Sequence, residues 1–117
     1  MRPKVKVWVV FGKRTKFGDG RAQLLALIGE LGSIHKAVAR FGMSYRTAWG
    51  YLRELEQAAG FKLLEPGARG GRRGGTRLTK RAQRFLAQYW RFREGLDEVV
   101  ARRFRIAFKR ARRGISY

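Results

Sequence analysis

The sequence predicts a mainly α-helical domain with a small β hairpin and a long carboxy-terminal helix. Apolar residues recur at helical spacing in four segments, and glycine or a capping side chain stands at most of their ends. Two short apolar runs, separated by a glycine-rich stretch, predict the hairpin. Because 117 residues give room for about one hydrophobic core, we expect one folded domain.

The charge balance indicates a polyanionic partner. Twenty-eight Lys and Arg against eight Asp and Glu give a formal net charge of +20, which repels itself unless a polyanion neutralises it. Nucleic acid is the leading partner, and charge alone leaves acidic membranes and acidic proteins open. Cysteine is absent, which excludes disulfides and thiolate metal sites. No run is apolar enough for a signal peptide or membrane span, so we expect a soluble, cytoplasmic, nucleoid-associated protein with no membrane partner.

The amino-terminal segment predicts a strand followed by a turn. Residues 2–11 show a period-two pattern of β-branched and aromatic residues that is typical of a strand, and the amino-terminal half of the segment is basic on one face. The alternating sets are Val5, Val7, Val9 and Phe11 against Lys4, Lys6, Trp8 and Val10. Residues 12–20 read as a polar turn, and Asp19 is placed to cap the first helix.

Three helices follow in the order and sizes of a helix-turn-helix unit. Each ends at a glycine, and the second and third begin at a serine that can cap the free amides of the first turn. The predicted helices are 20–31, closed by Gly32; 34–41, between Ser33 and Gly42; and 45–59, between Ser44 and Gly60.

A predicted hairpin comes next, with strands over 61–65 and 76–79. Its glycine-rich tip carries arginines and no acid, so we interpret the hairpin as a wing that touches DNA phosphates, with a low-complexity linker as the alternative. The candidate contacts are Arg69, Arg72 and Arg73 of the tip and Arg77 of the second strand.

Thr79 can cap a last helix that we expect to continue to about Arg113. About thirty helical residues would be about 45 Å long, more than so small a core can cover, so we predict that part of the apolar stripe packs on a second copy of the chain. The predicted dimer residues are Leu96, Val99, Val100 and Phe104. The alternative is a helix that bends at Gly95 and folds back. We divide the chain into a winged helix-turn-helix domain, 1–94, and a continuation of the last helix with a basic tail, 95–117.

The residues needed for catalysis are scarce. The chain offers eight carboxylates, one histidine and no thiol. His35 is expected to be exposed or to face a phosphate, while Asp97 and Glu98 point in different directions and are predicted to pair with neighbouring arginines. The glycine-rich stretch lacks the Gly-Lys-Ser or Gly-Lys-Thr ending of a nucleotide-binding P-loop. We therefore predict no enzyme activity, no cofactor and no metal site.

The third predicted helix supplies the argument for reading DNA. Its apolar positions leave four residues to face outward near its amino-terminal end, namely Ser44, Arg46, Thr47 and Gly50. A helix in the major groove reads bases with its first turns, and arginine there can bond both acceptors of a guanine. Tyr51 and Arg53 are predicted to meet phosphate oxygens, and Arg53 can also pair with Glu54 or Glu56. Trp49 is interpreted as a core anchor, with a contact beside the DNA as the alternative.

Three stretches of this region resemble the amino-terminal domain of ModE-type molybdate-responsive regulators. They are Gly20-Arg-Ala-Gln-Leu-Leu, Leu31-Gly-Ser-Ile and Gly42-Met-Ser-Tyr-Arg-Thr-Ala-Trp. The similarity runs from about Val5 to Tyr89, and its later part is also similar to the wider LysR-type helix-turn-helix. The resemblance implies a winged helix, and a homodimer held by the amino-terminal strand region and the last helix.

Carried over by position, the resemblance implies DNA contacts on the third helix and the wing. The matching residues are Ser44, Tyr45, Arg46 and Thr47 of the helix and Arg69, Arg72 and Arg73 of the wing. Full-length members of the family bind oxyanion in carboxy-terminal domains that have no counterpart among these residues. No molybdate site is therefore expected in this chain.

The leading hypothesis is a sequence-preferring transcriptional regulator that binds double-stranded DNA as a homodimer, with two recognition helices in successive major grooves. An architectural or chromatin-like protein of low sequence specificity is the alternative, since the chain is strongly basic and its end is crowded with arginines. A third hypothesis, an RNA- or ribosome-associated protein, rests on basic residues interleaved with aromatic ones.

Overall fold

The computed structural model describes residues 1–67 and 75–109 of the chain. Five helices and two antiparallel hairpins follow one another in these residues. The elements are β1 (Val9–Phe11), β2 (Thr15–Phe17), α1 (Asp19–Leu31), α2 (Ile34–Phe41), α3 (Tyr45–Ala59), β3 (Leu64–Pro66), β4 (Thr76–Leu78), α4 (Lys80–Arg93) and α5 (Leu96–Ala107). The predicted fold class, mainly α-helical with a small β wing, is confirmed.

One core holds the described elements from β1 to α4 together. Its largest fully buried side chains come from β2, α1, α3, the segment before β3, and α4. They are Phe17, Leu24, Leu25, Ile28, Leu52, Leu55, Leu63 and Tyr89. Burying such side chains removes apolar surface from water, at roughly 1.5–3 kcal/mol for each aliphatic or phenyl side chain, which is the main source of stability in so small a domain.

Local capping signals predicted the helix ends well. The Oγ of Ser33 accepts a hydrogen bond from the Lys36 amide (3.1 Å), and that of Thr79 accepts one from the Ala82 amide (3.0 Å). Helices α1, α2 and α3 each end at a glycine in the left-handed conformation, with φ between 67° and 82°. That conformation is costly for residues with a Cβ, so the glycines end the helices where the sequence indicated.

The amino-terminal prediction was wrong in two ways. Only Val9–Phe11 of the predicted strand is assigned as strand, and residues 12–20, predicted as a turn, contain β2. The two strands pair with Val9 opposite Phe17. Phe17 is fully buried, with its ring edge-on to those of Phe85 (4.7 Å) and Tyr89 (5.1 Å). Contacts with α4 therefore stabilise a strand whose local sequence is typical of a turn.

The sequence predicts that Asp19 caps α1, and this prediction is wrong. Gly18 holds the cap position without a side-chain bond, and Asp19 begins the helix. The Asp19 carboxylate instead accepts hydrogen bonds from the Tyr89 hydroxyl (2.5 Å) and from Nε of Arg93 (3.1 Å). Burial and this hydrogen bond raise the pKa of the Tyr89 phenol, which is therefore a neutral donor to Asp19 at ordinary pH.

The second hairpin forms the predicted wing, shifted slightly along the chain. The predicted first strand, 61–65, is Leu64–Pro66, and Leu64 lies opposite Leu78. The wing is tied to the end of α1, because the Thr76 amide donates to the Gly32 carbonyl at 2.9 Å. Gly75 has φ of 70°, and a Cβ there would collide with the same carbonyl oxygen. Close approach of the two backbones thus requires glycine at position 75.

The last helix is not continuous. It is interrupted at Gly95, whose φ of 82° is left-handed, so α4 and α5 are separate helices. Arg93 spans the break, since its Nη2 donates to Asp97 (3.2 Å) while its Nε contacts Asp19. The bond to Asp97, and then that to Asp19, raise the pKa of the Arg93 guanidinium, while burial opposes them. Asp97 therefore pairs with a neighbouring arginine, as predicted.

Candidate nucleic-acid interface

The turn between α2 and α3 is built from local hydrogen bonds. Gly42 closes α2 in the left-handed conformation, and Ser44 caps α3 by accepting a hydrogen bond from the Thr47 amide at 3.0 Å. The Ser44 hydroxyl also donates to the Oγ1 of Thr47 at 2.8 Å. The two side chains hold each other at the exposed start of α3, so the Thr47 hydroxyl hydrogen remains available to an acceptor.

The outward face of α3 is where the sequence analysis placed it. The inward face is buried and consists of Ala48, Tyr51, Leu52 and Leu55. All six predicted contact residues on this helix are exposed, namely Ser44, Tyr45, Arg46, Thr47, Gly50 and Arg53. A Cβ at Gly50 would meet nothing within 4 Å, so the backbone there is open to close approach by a ligand. We call these six residues the recognition face.

Sequence reasoning missed how Tyr45 is held. Its ring lies flat on the imidazole of His35, with centroids 4.0 Å apart and planes 6° from parallel. Both residues are exposed and lie in the first turns of adjacent helices. The only signal in the sequence was that each is a planar side chain at the start of a helix, and spacing along one helix could not pair them.

The prediction that Tyr51 meets a phosphate is wrong. It is 8% exposed, and the guanidinium carbon of Arg21 lies 3.8 Å from the centre of its ring. Burial raises the pKa of the phenol, although the Arg21 guanidinium opposes this shift. Tyr51 is therefore a neutral core residue that packs under the first hairpin.

Trp49 is partly buried against the core, which confirms the interpretation as a core anchor. Its ring also lines a hollow shared with the wing, whose walls include Leu64, Pro66 and Gly75. The wing therefore lies along the flank of α3 that carries Trp49.

Of the four predicted wing contacts, the structure describes Arg77. Arg69, Arg72 and Arg73 lie outside the described residues. Arg77 is exposed and bound to Glu65, with 2.6 Å between Nε and Oε2. An exposed pair of this kind contributes little to stability, at most about 1 kcal/mol.

The predicted dimer residues lie on one face of α5, as their helical spacing requires. Val99 is 41% exposed, and Leu96, Val100 and Phe104 are only half-buried. No residue of α5 is fully buried. A hollow of about 490 Å³ runs along this face between Pro3 and the end of the helix.

In the part of the chain that the structure describes, no three His, Cys, Asp or Glu residues are grouped so that they could hold a metal ion. The helices found there are too short and too polar to cross a membrane. His35, the only histidine, is engaged in the stack with Tyr45.

Two proteins of known name have amino-acid sequences similar to this chain. The chain is 32% identical over 88 residues to the molybdenum-pterin-binding protein MopB of Rhodobacter capsulatus, covering 74% of this chain and 32% of that protein. It is 38% identical over 69 residues to the transcriptional regulator ModE of Haemophilus influenzae, covering 59% of this chain and 27% of ModE. The chain thus spans about a third of the length of the relatives it matches, and the resemblance to ModE-type regulators is confirmed.

Solved structures show the same fold. The CbnR DBD in complex with DNA matches with a TM-score of 0.57 and 26% identity, covering 76% of this chain and 97% of that one. The complex of the BenM DBD with catB site 1 DNA matches with a TM-score of 0.58 and 21% identity, covering 80% and 99%.

The model of the bacterial regulatory helix-turn-helix proteins of the LysR family matches residues 21–83. That match includes α2, α3 and the positions of both wing strands and makes up more than half of the 117 residues. The chain therefore belongs to the LysR family of bacterial regulatory helix-turn-helix proteins.

Proposed function

We propose that this chain is a transcriptional regulator that binds duplex DNA as a homodimer, with α3 in the major groove. One observation carries the proposal: from Tyr45 to Arg53, α3 turns outward a polar and basic surface that contains no carboxylate. A groove lined by phosphates favours such a surface, and base edges accept hydrogen bonds from arginine and hydroxyl groups.

Within this proposal, position on the helix assigns the roles. Arg46 lies in the first turn and reads a base, for which guanine offers two acceptors. Ser44, Tyr45 and Thr47 lie around it, Gly50 lets the backbone come close, and Arg53 meets a phosphate. In the wing, Glu65 neutralises part of the charge of Arg77. We therefore assign most of the wing's backbone contacts to Arg69, Arg72 and Arg73.

The dimer is proposed from the partly exposed apolar face of α5. A helix with no fully buried residue leaves part of its apolar surface in water, which costs roughly 25 cal/mol for each Å² left exposed. Pairing with the α5 of a second copy would cover Leu96, Val99, Val100 and Phe104. Two recognition helices would then meet the DNA from one molecule, and the protein would act at the nucleoid.

Selection of bound sequences from a pool of random duplex DNA tests this function. A regulator is expected to enrich an inverted repeat whose half-sites lie about 10–10.5 base pairs apart, or a multiple of that spacing. Binding is also expected to weaken with salt, with a slope steeper than about −5 in log affinity against log salt for a dimer with several arginine contacts per chain. A flat salt response would exclude DNA as the partner.

An architectural role is the second candidate, and the net charge of +20 favours it. Such a protein gains its affinity from phosphates and bends or coats DNA without choosing a sequence. Genome-wide mapping of bound sites separates the two functions, because a regulator gives a few sharp peaks and an architectural protein gives a continuous coat. No oxyanion-sensing role is proposed for these residues.

A further inference from the structure

A second basic surface lies mostly outside the region that the family model matches. It is a groove of about 540 Å³ between the amino-terminal segment, the β1–β2 hairpin and the first turn of α1. All but one of its basic residues precede the matched residues 21–83. We call it the amino-terminal groove and define it by Lys6, Trp8, Arg14, Lys16 and Arg21.

The four cations of the groove are all exposed. Arg21 is also fixed in place, because its Nη1 donates to the Lys16 carbonyl at 2.5 Å and its guanidinium lies on the Tyr51 ring. A fixed guanidinium loses little conformational entropy when an anion binds. The other cations lie on the hairpin and the preceding segment, so several donors converge on one open groove.

Two carboxylates also line the groove, and both have partners of their own. Asp19 accepts hydrogen bonds from Tyr89 and Arg93, which belong to α4. Glu54 accepts a hydrogen bond from the Thr15 hydroxyl at 3.2 Å. Four cations against two carboxylates leave the groove with a net positive charge, and Arg93 offsets much of the charge of Asp19.

Trp8 adds a donor to the wall of the groove. The residue is 49% exposed, and the Nζ of Lys16 lies 4.6 Å from the ring centre. Gly18 allows the ring to lie against the chain, because a Cβ at that position would come within 2.7 Å of the ring. The indole N–H can donate only, which suits an acceptor such as a phosphate oxygen.

The groove opens beside the recognition face. The hydrogen bond from Thr15 to Glu54 places the first hairpin along one flank of α3, while Trp49 marks the flank that the wing covers. At 3.6 residues per turn, positions 49 and 54 lie on opposite sides of the line from Arg46 through Gly50 to Arg53. The central line of the recognition face therefore lies between two hairpins.

We infer that the amino-terminal groove binds the phosphodiester backbone of duplex DNA next to the site occupied by α3, so that the first hairpin acts as a second wing. In this arrangement α5 alone forms the dimer contact, and the amino-terminal strand region, which the resemblance also implies in the dimer, contacts DNA instead. The inference rests on the proposed function, because it needs α3 to be in the major groove. Phosphate contacts on both flanks of a recognition helix would fix its orientation in the groove.

The test compares two double variants of the full chain that remove equal charge. Lys6→Ala/Arg14→Ala removes two cations of the groove, and Arg84→Ala/Arg91→Ala removes two exposed cations of α4. Binding to a labelled 30-base-pair duplex of random sequence is measured by anisotropy over a series of salt concentrations. Circular dichroism checks the fold of each variant.

The groove variant is expected to lose about 0.9 from the salt slope for each contact removed, or about 2 per bound chain. At physiological salt its affinity should fall at least about tenfold, and the α4 variant should change much less. Equal changes in both variants would mean that net charge alone matters and would overturn the inference.

Two further outcomes separate the inference from the function on which it rests. If wild-type protein shows no salt-dependent binding to duplex DNA, the proposed function itself is wrong. If the wild type binds and the groove variant keeps its slope, only the inference is wrong. Loss of binding to single-stranded DNA or RNA with duplex binding unchanged would show that the groove serves single strands and would also overturn it.

Discussion

Two contacts restrain the start of the recognition face before DNA is bound. The Ser44 and Thr47 hydroxyls are hydrogen-bonded to each other, and Tyr45 is stacked on His35. Ordering a flexible side chain at an interface costs about 0.5–1.5 kcal/mol, so side chains that are already held lose less on binding. Arg46 lies between Tyr45 and Thr47 in the sequence. Its backbone is therefore held in a position that presents the guanidinium to a ligand.

Arg46→Ala is expected to reduce specific binding in particular. On the preferred sequence the loss should be roughly 1–3 kcal/mol, because a bidentate contact to guanine disappears, while binding to random DNA should change little. Anisotropy titrations on both duplexes measure the difference. Arg72→Ala, which removes a predicted phosphate contact, should weaken both complexes alike, and equal losses for Arg46→Ala would contradict its role in base reading.

The exposed residues of α3 could be predicted because helical periodicity and one buried face determine which side chains point outward. Tyr51 could not be predicted in the same way. It lies at the edge of the buried face, and it is covered by the hairpin whose second strand has the local sequence of a turn. The wrong assignment of Tyr51 therefore follows from the missed strand.

At the scale of elements, prediction succeeded where the signal was local. Ser33, Ser44 and Thr79 cap their helices through bonds to amides three residues away, which a short window of sequence contains. Strand β2 depends instead on Phe17 packing against Phe85 and Tyr89, about seventy residues further along the chain. No local sequence pattern carries that information. For the same reason, the sequence does not reveal the amino-terminal groove that β2 helps to form.

The junction between the wing and α1 leads to a prediction at this scale. Gly75→Ala should lower the free energy of unfolding by more than Gly12→Ala, although both glycines have positive φ. Each alanine bears the cost of a left-handed backbone, about 1–2 kcal/mol, but only the one at position 75 also collides with the Gly32 carbonyl. Urea unfolding of both variants measures the difference.

Gly75→Ala is also expected to change DNA binding, which gives a second measurement of the same effect. A displaced wing should weaken binding to random and preferred duplexes alike, because its contacts are to the backbone. A Cβ at Gly12 would meet nothing within 4 Å, so Gly12→Ala serves as the matched control. Equal losses of stability in the two variants would show that the wing junction tolerates a side chain.

The whole molecule is expected to be a dimer that α5 holds together. Leu96→Glu/Val100→Glu places charges in the proposed interface, where they would be desolvated without partners, so the dimer should dissociate. Arg102→Glu alters the net charge equally on another face of α5 and should leave the dimer intact. Sedimentation measures the assembly, and circular dichroism measures the fold.

Loss of the dimer should also weaken binding to the full DNA site. When two recognition helices are linked, the second binding event becomes intramolecular. A folded monomer is therefore expected to bind the full site roughly 10²-fold more weakly than the dimer, or weaker still, by the usual order of magnitude for linked sites. A wild-type chain that sediments as a monomer at micromolar concentration would disprove both the interface and the model with two recognition helices.

The break at Gly95 has a consequence for which DNA sites the protein could accept. In the proposed dimer, the direction in which α5 leaves the body determines the distance between the two copies of α3, and Arg93 restrains that direction through Asp19 and Asp97. The identity of the bases is read elsewhere, by α3. Changes at these three side chains could therefore alter the tolerated spacer between half-sites while leaving the half-site sequence as it was, so that spacing and sequence preference could evolve separately.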